Sequence, residues 1–400
     1  MLNLPLPHLA ADFLLRPDIA FLNHGSFGAC PRPVFERYQA WQRELEAQPV
    51  EFMGRRLSGL LAEARGRLAD FLGAGHADNL IFVPNVTYAI NIVARSLDLG
   101  PGDEVLATDH EYGGAERIWR FVCGQHGATY VRQPLPWPIH DRAEMETIQR
   151  IVEQFWAGVT PRTRVIFLSH ITAPTALILP VAEICRRARA AGILTVVDGA
   201  HAPGQIELDL AALGADFYGG NCHKWLCAPK GAGFLYARPE RQALLQPLVV
   251  SWGWDSLNPG PSPFVDYFDW VGTDDPAAYL SVPAAIDYQQ QHDWPQVRAA
   301  CHRLAAQARA RLAELIGLPL PYPDSEEWWS QMCVVPLPPV SVATDPGVLG
   351  RRLWEEFQVE VPVFAWREPL LRISIQAYNR PEQVERLVEG VGRCLGMARK

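Results

Sequence analysis

Short apolar runs alternate along the chain with stretches whose apolar residues recur every three to four positions. The runs 79–83 (NLIFV), 104–108, 128–133, 164–170, 193–198 and 216–218 have the length and apolar, often β-branched content of buried strands. Helical patterns lie between them, over 33–47, 55–72, 143–156 and 180–191. The second places Leu57, Leu60, Leu61, Ala64, Leu68 and Phe71 at helical spacing. A further helix opens at Val86 and carries Ala89, Ile90, Val93, Ala94 and Leu97 on one face, with Asn85 as a good N-cap. Strands alternating with helices in this way predict βαβ units and a mostly parallel sheet. A short amphipathic segment, 209–213, precedes the strand at 216–218, and another strand closes the region after Gly231 and Gly233.

Residues 1–20 are interrupted by proline and are expected to drape over the surface, and 21–28 is turn-rich. Residues 251–276 form a long run rich in Trp, Phe, Tyr, Pro and Gly, read as a loop whose aromatic content argues against disorder. Helices are predicted over 276–291 and 295–316, the latter with Val297, Ala300, Leu304, Ala308 and Leu312 spaced for burial. The predicted organisation is an N-terminal segment (1–50) packing near the active site, a large domain (51–290) and a small α+β domain (291–400).

Composition narrows the class. A chain of 400 residues with 48% hydrophobic and 20% charged residues is ordinary for a soluble enzyme. The apolar runs are too short to span a bilayer, and the N-terminus lacks the basic start of a secretory signal. A net charge of −8 without a basic stripe argues against a nucleic-acid partner. The eight cysteines are scattered without metal-ligand spacing, so no metal is expected, and free thiols suit a cytoplasmic location.

The stretch 195–236 carries the chemistry. Asp198 ends an apolar strand, and a carboxylate at that end points into the ligand crevice of an open parallel sheet. Lys224 lies between His223 and Trp225 in an otherwise apolar, Gly-rich stretch, a setting that depresses a lysine pKa. Singly, Lys224 could be a surface lysine and Asp198 a turn or helix cap. Together they suit pyridoxal phosphate (PLP), with Lys224 as the Schiff-base lysine and Asp198 on the pyridinium nitrogen. The helix start at Val86 and Thr87 offers free N–H groups and a positive dipole end, suited to capping alone or to the cofactor phosphate.

The blocks DGAHAPG and GNCHKWLCAPKGAGFLY resemble those of the class V, fold-type I PLP enzymes, within them the isopenicillin N epimerase-like branch. The resemblance runs from LNHGSFG at 22–28 to LLRISIQAYN at 370–379. It implies an α/β fold in which a mostly parallel, seven-stranded-type sheet lies between helices, beside a small C-terminal domain. It also implies a homodimer with shared sites, in which Gly272 and Thr273 cross to the neighbouring subunit's phosphate. Tyr112 is implied to stack on the ring, with His110 as the alternative, and Thr172 to contact the cofactor. His201 is placed near the ring oxygen or Asp198, and His223 at the phosphate. Arg372 is implied to bind the substrate carboxylate, an internal salt bridge being the alternative, while Asn23 and His24 border the substrate.

Such a site acts at the α-carbon of an amino acid, with the freed Lys224 amine placed to take the α-proton. Reprotonation on the other face is epimerisation; loss of a β-substituent makes the enzyme a C–S lyase; protonation at the cofactor carbon is transamination. Epimerisation is the preferred reading, C–S lyase the runner-up and aminotransferase third; a non-catalytic PLP-binding protein is the weakest. Cysteine desulfurase is disfavoured because its nucleophilic cysteine belongs on a mobile loop, whereas Cys333 sits in the strand-like run QMCVVPLP.

Overall fold

The computed structural model describes residues 7–139, 144–339, 341 and 345–397. Twelve strands are β1 (Ala20–Phe21), β2 (Leu80–Val83), β3 (Glu104–Thr108), β4 (Thr129–Gln133), β5 (Thr163–Ser169), β6 (Leu194–Gly199), β7 (Phe217–Asn221), β8 (Gly233–Ala237), β9 (Met332–Pro336), β10 (Val359–Glu360), β11 (Val363–Ala365) and β12 (Pro369–Ser374). The main sheet has the order β2-β8-β7-β6-β5-β3-β4. Six strands share one direction and β8 opposes them, being antiparallel to both β7 and β2. β3 and β5 to β8 are almost wholly buried, as expected for a sheet covered on both faces, while the edge strand β4 is half-exposed.

The alternation within each strand builds two cores. Leu106, Ile166, Leu168, Val197 and Phe234 face one, and Val105, Ala107, Val165, Phe167 and Leu235 face the other. The helix Val86–Ser96 seals the second core with Ala89, Ile90 and Val93 and is capped by the Asn85 side chain, which accepts from Tyr88 N–H. The chain is therefore α/β, as its pattern predicts.

The small domain is the antiparallel sheet β11-β12-β9, with the helices Trp294–Ile316, Pro346–Phe357 and Pro381–Leu395. The N-terminal segment joins it: β1 pairs in parallel with β10, and Asn23 bridges to Ser374. Residues 7–20 do not merely drape over the surface, since Leu9 and Phe13 are buried in the core and Tyr288 donates to Asp12. The turn-rich segment folds as a short helical turn, His24–Phe27.

Two expected elements are broken. The helix 55–72 begins as a π-helical turn, Phe52–Arg56, before the α-helix Leu57–Leu72. The helix 276–291 is two pieces, Ala277–Leu280 and Val282–Gln291, because Pro283 lacks the N–H needed to continue the first. The aromatic stretch holds the helix Pro263–Asp269, started by the Ser262 cap and Pro263.

Candidate active site

A cavity of about 340 Å³ opens at the C-terminal ends of β5, β6 and β7, where open α/β sheets bind their ligands. Each strand end delivers a side chain to its wall: Ser169 from β5, Asp198 from β6 and Asn221 from β7. Lys224, His223, His201, Tyr112, Arg372 and Ser26 complete the polar lining, with Asn85, Val86 and Thr87 at the helix start.

Burial and the charge of Arg372 push the Lys224 amine down to about 8, and Asp198 opposes the shift. Trp225 Nε1 donates to His201 Nδ1 at 3.2 Å, which leaves the proton of the neutral imidazole on Nε2. That N–H faces Lys224 Nζ at 3.4 Å. Burial holds His201 well below its ordinary value, so it stays neutral beside the lysine. Burial raises the Asp198 carboxyl, countered by the Ala200 N–H at 2.9 Å and the charge of Lys224.

The backbone of Lys224 is buttressed from the N-terminal segment. His24 Nε2 donates to the Lys224 carbonyl at 3.0 Å, and its Nδ1 accepts from the Tyr378 hydroxyl at 3.0 Å. Gly28, at φ 70°, lies so close that a Cβ there would stand 2.0 Å from the His223 carbonyl oxygen. Only glycine fits that approach.

Arg372 crosses from β12. It donates to the Ala173 carbonyl at 2.6 Å and to Ser26 Oγ at 3.2 Å, while its buried Nε has no partner. Burial alone lowers its pKa, to about 10. No carboxylate of the described residues pairs with it, so the internal salt bridge left open by the sequence is absent.

Lys224, Asp198, His201, His223, Tyr112, Asn85, Val86, Thr87 and Arg372 thus converge on one cavity. The Val86 N–H is already engaged by Asn221 Oδ1 at 2.9 Å, and His223 Nδ1 bonds the Ala232 carbonyl at 3.4 Å, which leaves the Thr87 hydroxyl and His223 Nε2 there. Four other residues lie elsewhere. Thr172 is fully buried, its hydroxyl bonded to Thr175 and to Leu177 N–H. His24 supports the lysine backbone from behind. Asn23 donates to Glu360 and accepts from Ser26, so Ser26 rather than Asn23 faces the cavity. Thr273 is exposed and is not among the residues that line this cavity. The alternative ring partner His110 is buried against Trp366 and bonded to Thr175, which leaves Tyr112, 52% exposed, at the cavity rim.

Glu111 was missed from sequence. Its carboxyl takes hydrogen bonds from Thr108 Oγ1 at 2.5 Å and Ser169 Oγ at 2.6 Å, and burial pushes it up to about 8. Ser169 and Asp198 occupy paired positions on β5 and β6, so this carboxyl reaches the cavity through Ser169. The signal was available: like Asp198, Glu111 is an acid just past a buried strand.

A family profile described as aminotransferase class-V matches residues 28–387. The chain is 40% identical to the isopenicillin N epimerase of Streptomyces clavuligerus, over 96% of both chains. It is equally identical to that of Amycolatopsis lactamdurans, over 94% of this chain and 95% of that one.

The chain belongs to the class V aminotransferase family.

A putative L-cysteine desulfhydrase from Oryza sativa subsp. japonica is 31% identical over 94% of this chain and 85% of the relative. Among solved structures, a C-DES variant with glycine covalently linked to its PLP cofactor superposes with a TM-score of 0.81 at 22% identity, covering 98% and 100% of the two chains. The cysteine desulfurase CsdA of Escherichia coli gives 0.79 at 24%, with the same coverage. These likenesses carry the fold, that of the fold-type I PLP enzymes. The family is PLP-dependent, and the residues fit the group: a buried amine of lowered pKa, a carboxylate at a strand end and a guanidinium with no carboxylate partner among the described residues and an unbonded Nε face one cavity. No helix of the described residues is long and apolar enough to cross a membrane.

Proposed function

We infer that this family member is an amino-acid epimerase or racemase, which removes the α-proton of its substrate and returns one to the opposite face. The observation that carries the reading is the 40% identity to two isopenicillin N epimerases across nearly the whole chain. When bound, PLP supplies the electron sink for the pair left on the α-carbon.

The residues divide the remaining work. Lys224 would anchor the cofactor and, when its amine is free, would serve as the base for the α-proton; an amine held near pH 8 exchanges protons readily at neutral pH. His201, neutral and fixed in one tautomer, orients that amine. Asp198 would accept from the ring nitrogen, and Tyr112 would cover the ring. Thr87 and His223 would hold the phosphate, beside the helix N-terminus. Arg372 binds the substrate carboxylate through its free Nε side.

The second reading, a C–S lyase acting on a cysteine-derived substrate, is favoured by plant relatives named L-cysteine desulfhydrases, at 28–31% identity. Desulfurase chemistry is disfavoured: Cys333 is buried in β9 and burial pushes its thiol up to about 12. Incubation with amino acids in deuterated water separates the readings. α-Deuterium with inverted chirality is expected; pyruvate and sulfide from cysteine, or a keto acid, would replace the epimerase reading.

The working unit in this proposal is a homodimer in the cytoplasm. Trp252 is 83% and Leu257 97% exposed on the stretch leading to Thr273, an apolar surface suited to a second copy. An interface above about 2,000 Å² is expected. Mixing Lys224→Ala with Thr273→Asp chains should restore one site per heterodimer; heterodimers without activity would reject shared sites.

A further inference from the structure

A second cleft, of about 380 Å³, adjoins the cavity. The two share Ser26, Tyr112, Ala173 and Arg372 as a common wall. Lys224 and Asp198 lie only on the first side. Beyond the wall the lining is Pro174, Pro362, Phe364, Ala365 and Trp366, with Gly113 and Glu111.

The α-carbon of an amino acid carries three groups besides its hydrogen. With the amino group towards Lys224 and the carboxylate on Arg372, the side chain has the second cleft as its open direction. We propose that this cleft receives the substrate side chain and selects amino acids whose side chains are bulky and uncharged, with Phe364 and Trp366 as the specificity-determining residues. The assignment rests on the reading that Lys224 and Arg372 hold the substrate.

Three observations support it. The volume belongs to the range of pockets that hold drug-sized groups, far beyond the single sulfanylmethyl group of cysteine. The far wall, made by Pro174, Pro362, Phe364, Ala365 and Trp366, is apolar or aromatic, and Arg372, already committed to the carboxylate, is the one cationic side chain in the lining. Glu111, the one carboxyl there, is occupied by the hydroxyls of Thr108 and Ser169, and burial pushes it up to about 8, towards its neutral form. A side-chain carboxylate or ammonium would enter without a partner, a costly burial.

The aromatic wall is held in place rather than left to close. It is the hairpin of β11 and β12, pinned to the large domain at three points. Trp366 Nε1 donates to the Asp109 carbonyl at 3.0 Å, Arg367 pairs with the Asp109 carboxylate, and Trp137 Nε1 donates to Glu368 at 2.7 Å. The Phe364 ring also lies 5.8 Å from the Arg372 guanidinium, so it borders the point where the α-carbon sits.

The test uses reduced phosphopyridoxyl adducts of single amino acids, titrated calorimetrically into cofactor-free enzyme. The phenylalanine and tryptophan adducts are expected to bind at least about tenfold more tightly than the alanine and aspartate adducts. Phe364→Ala should remove most of that preference. Equal affinities across the wild-type ranking, which needs no variant, would overturn the proposal, as would a preference for alanine or aspartate. A parallel measurement follows α-deuterium incorporation for the same amino acids. No exchange with any of them, beside an intact adduct preference, would reject the epimerase reading and uphold the cleft; faster exchange of alanine or cysteine than of phenylalanine would overturn the cleft.

Discussion

Lys224 meets His201, 23 residues away, on the loops that follow two adjacent strands. Arg372 meets Ser26 across 346 residues and Ala173 across 199. The lysine half of the site is carried by one sheet, whose pairing of β6 with β7 sets Asp198 and Lys224 together as soon as it forms. The arginine half exists only where the small domain and the N-terminal segment dock on the large one. Cofactor retention should therefore tolerate disturbance of the docking surface, whereas substrate recognition should not.

The sharpest separation comes from removing each anchor. Lys224→Ala should lower turnover by on the order of 10³-fold or more, and borohydride reduction should no longer fix PLP to the chain by mass. Arg372→Gln should keep that covalent label and raise KM by roughly 10²-fold, the scale for losing one partner of a buried charge pair. Arg372→Lys should not restore it, because an ammonium lacks the planar fork. Loss of the covalent label in Arg372→Gln would break the distinction between the halves.

The two halves do communicate through charge. Lys224 must be neutral to attack the cofactor aldehyde, so the capture rate of PLP by cofactor-free enzyme should climb about tenfold per pH unit and level off near 8. Arg372 is one cause of that low value, so the plateau in Arg372→Gln should begin at a higher pH. A plateau that does not move would leave burial as the whole cause. Stopped-flow absorbance reads both profiles.

The smallest effect is expected at the pinning contact. Arg367→Ala removes a half-exposed pair with Asp109 and should cost below about 1 kcal/mol in global unfolding. It should nevertheless raise KM severalfold for bulky substrates while PLP affinity stays constant, since the hairpin carries Phe364 and Trp366. An equal loss of PLP affinity would show that the docking surface serves both halves.

What local pattern determines, this sequence determined. Apolar runs and helical periods announced the α/β class, the mostly parallel sheet and the small C-terminal domain, because burial on both sheet faces leaves near-continuous apolar strands. That Asp198, His201, His223 and Lys224 meet in one cavity was legible because they flank adjacent strands, so order along the chain becomes order in space. Asn23, His24 and Thr172 mark where that logic fails. His24 and Thr172 each stand beside a cavity residue in sequence and Asn23 two residues from one, yet which side chain faces inward depends on a turn packing against distant chain. The His24–Phe27 turn aims His24 at the Lys224 carbonyl, and a buried hydroxyl bond turns Thr172 away. Glu111, Ser26 and the aromatic wall at Phe364 and Trp366 needed the same information. Their neighbours come from strands or domains far apart in sequence, and only the closed tertiary structure decides which burial and which partner each side chain receives.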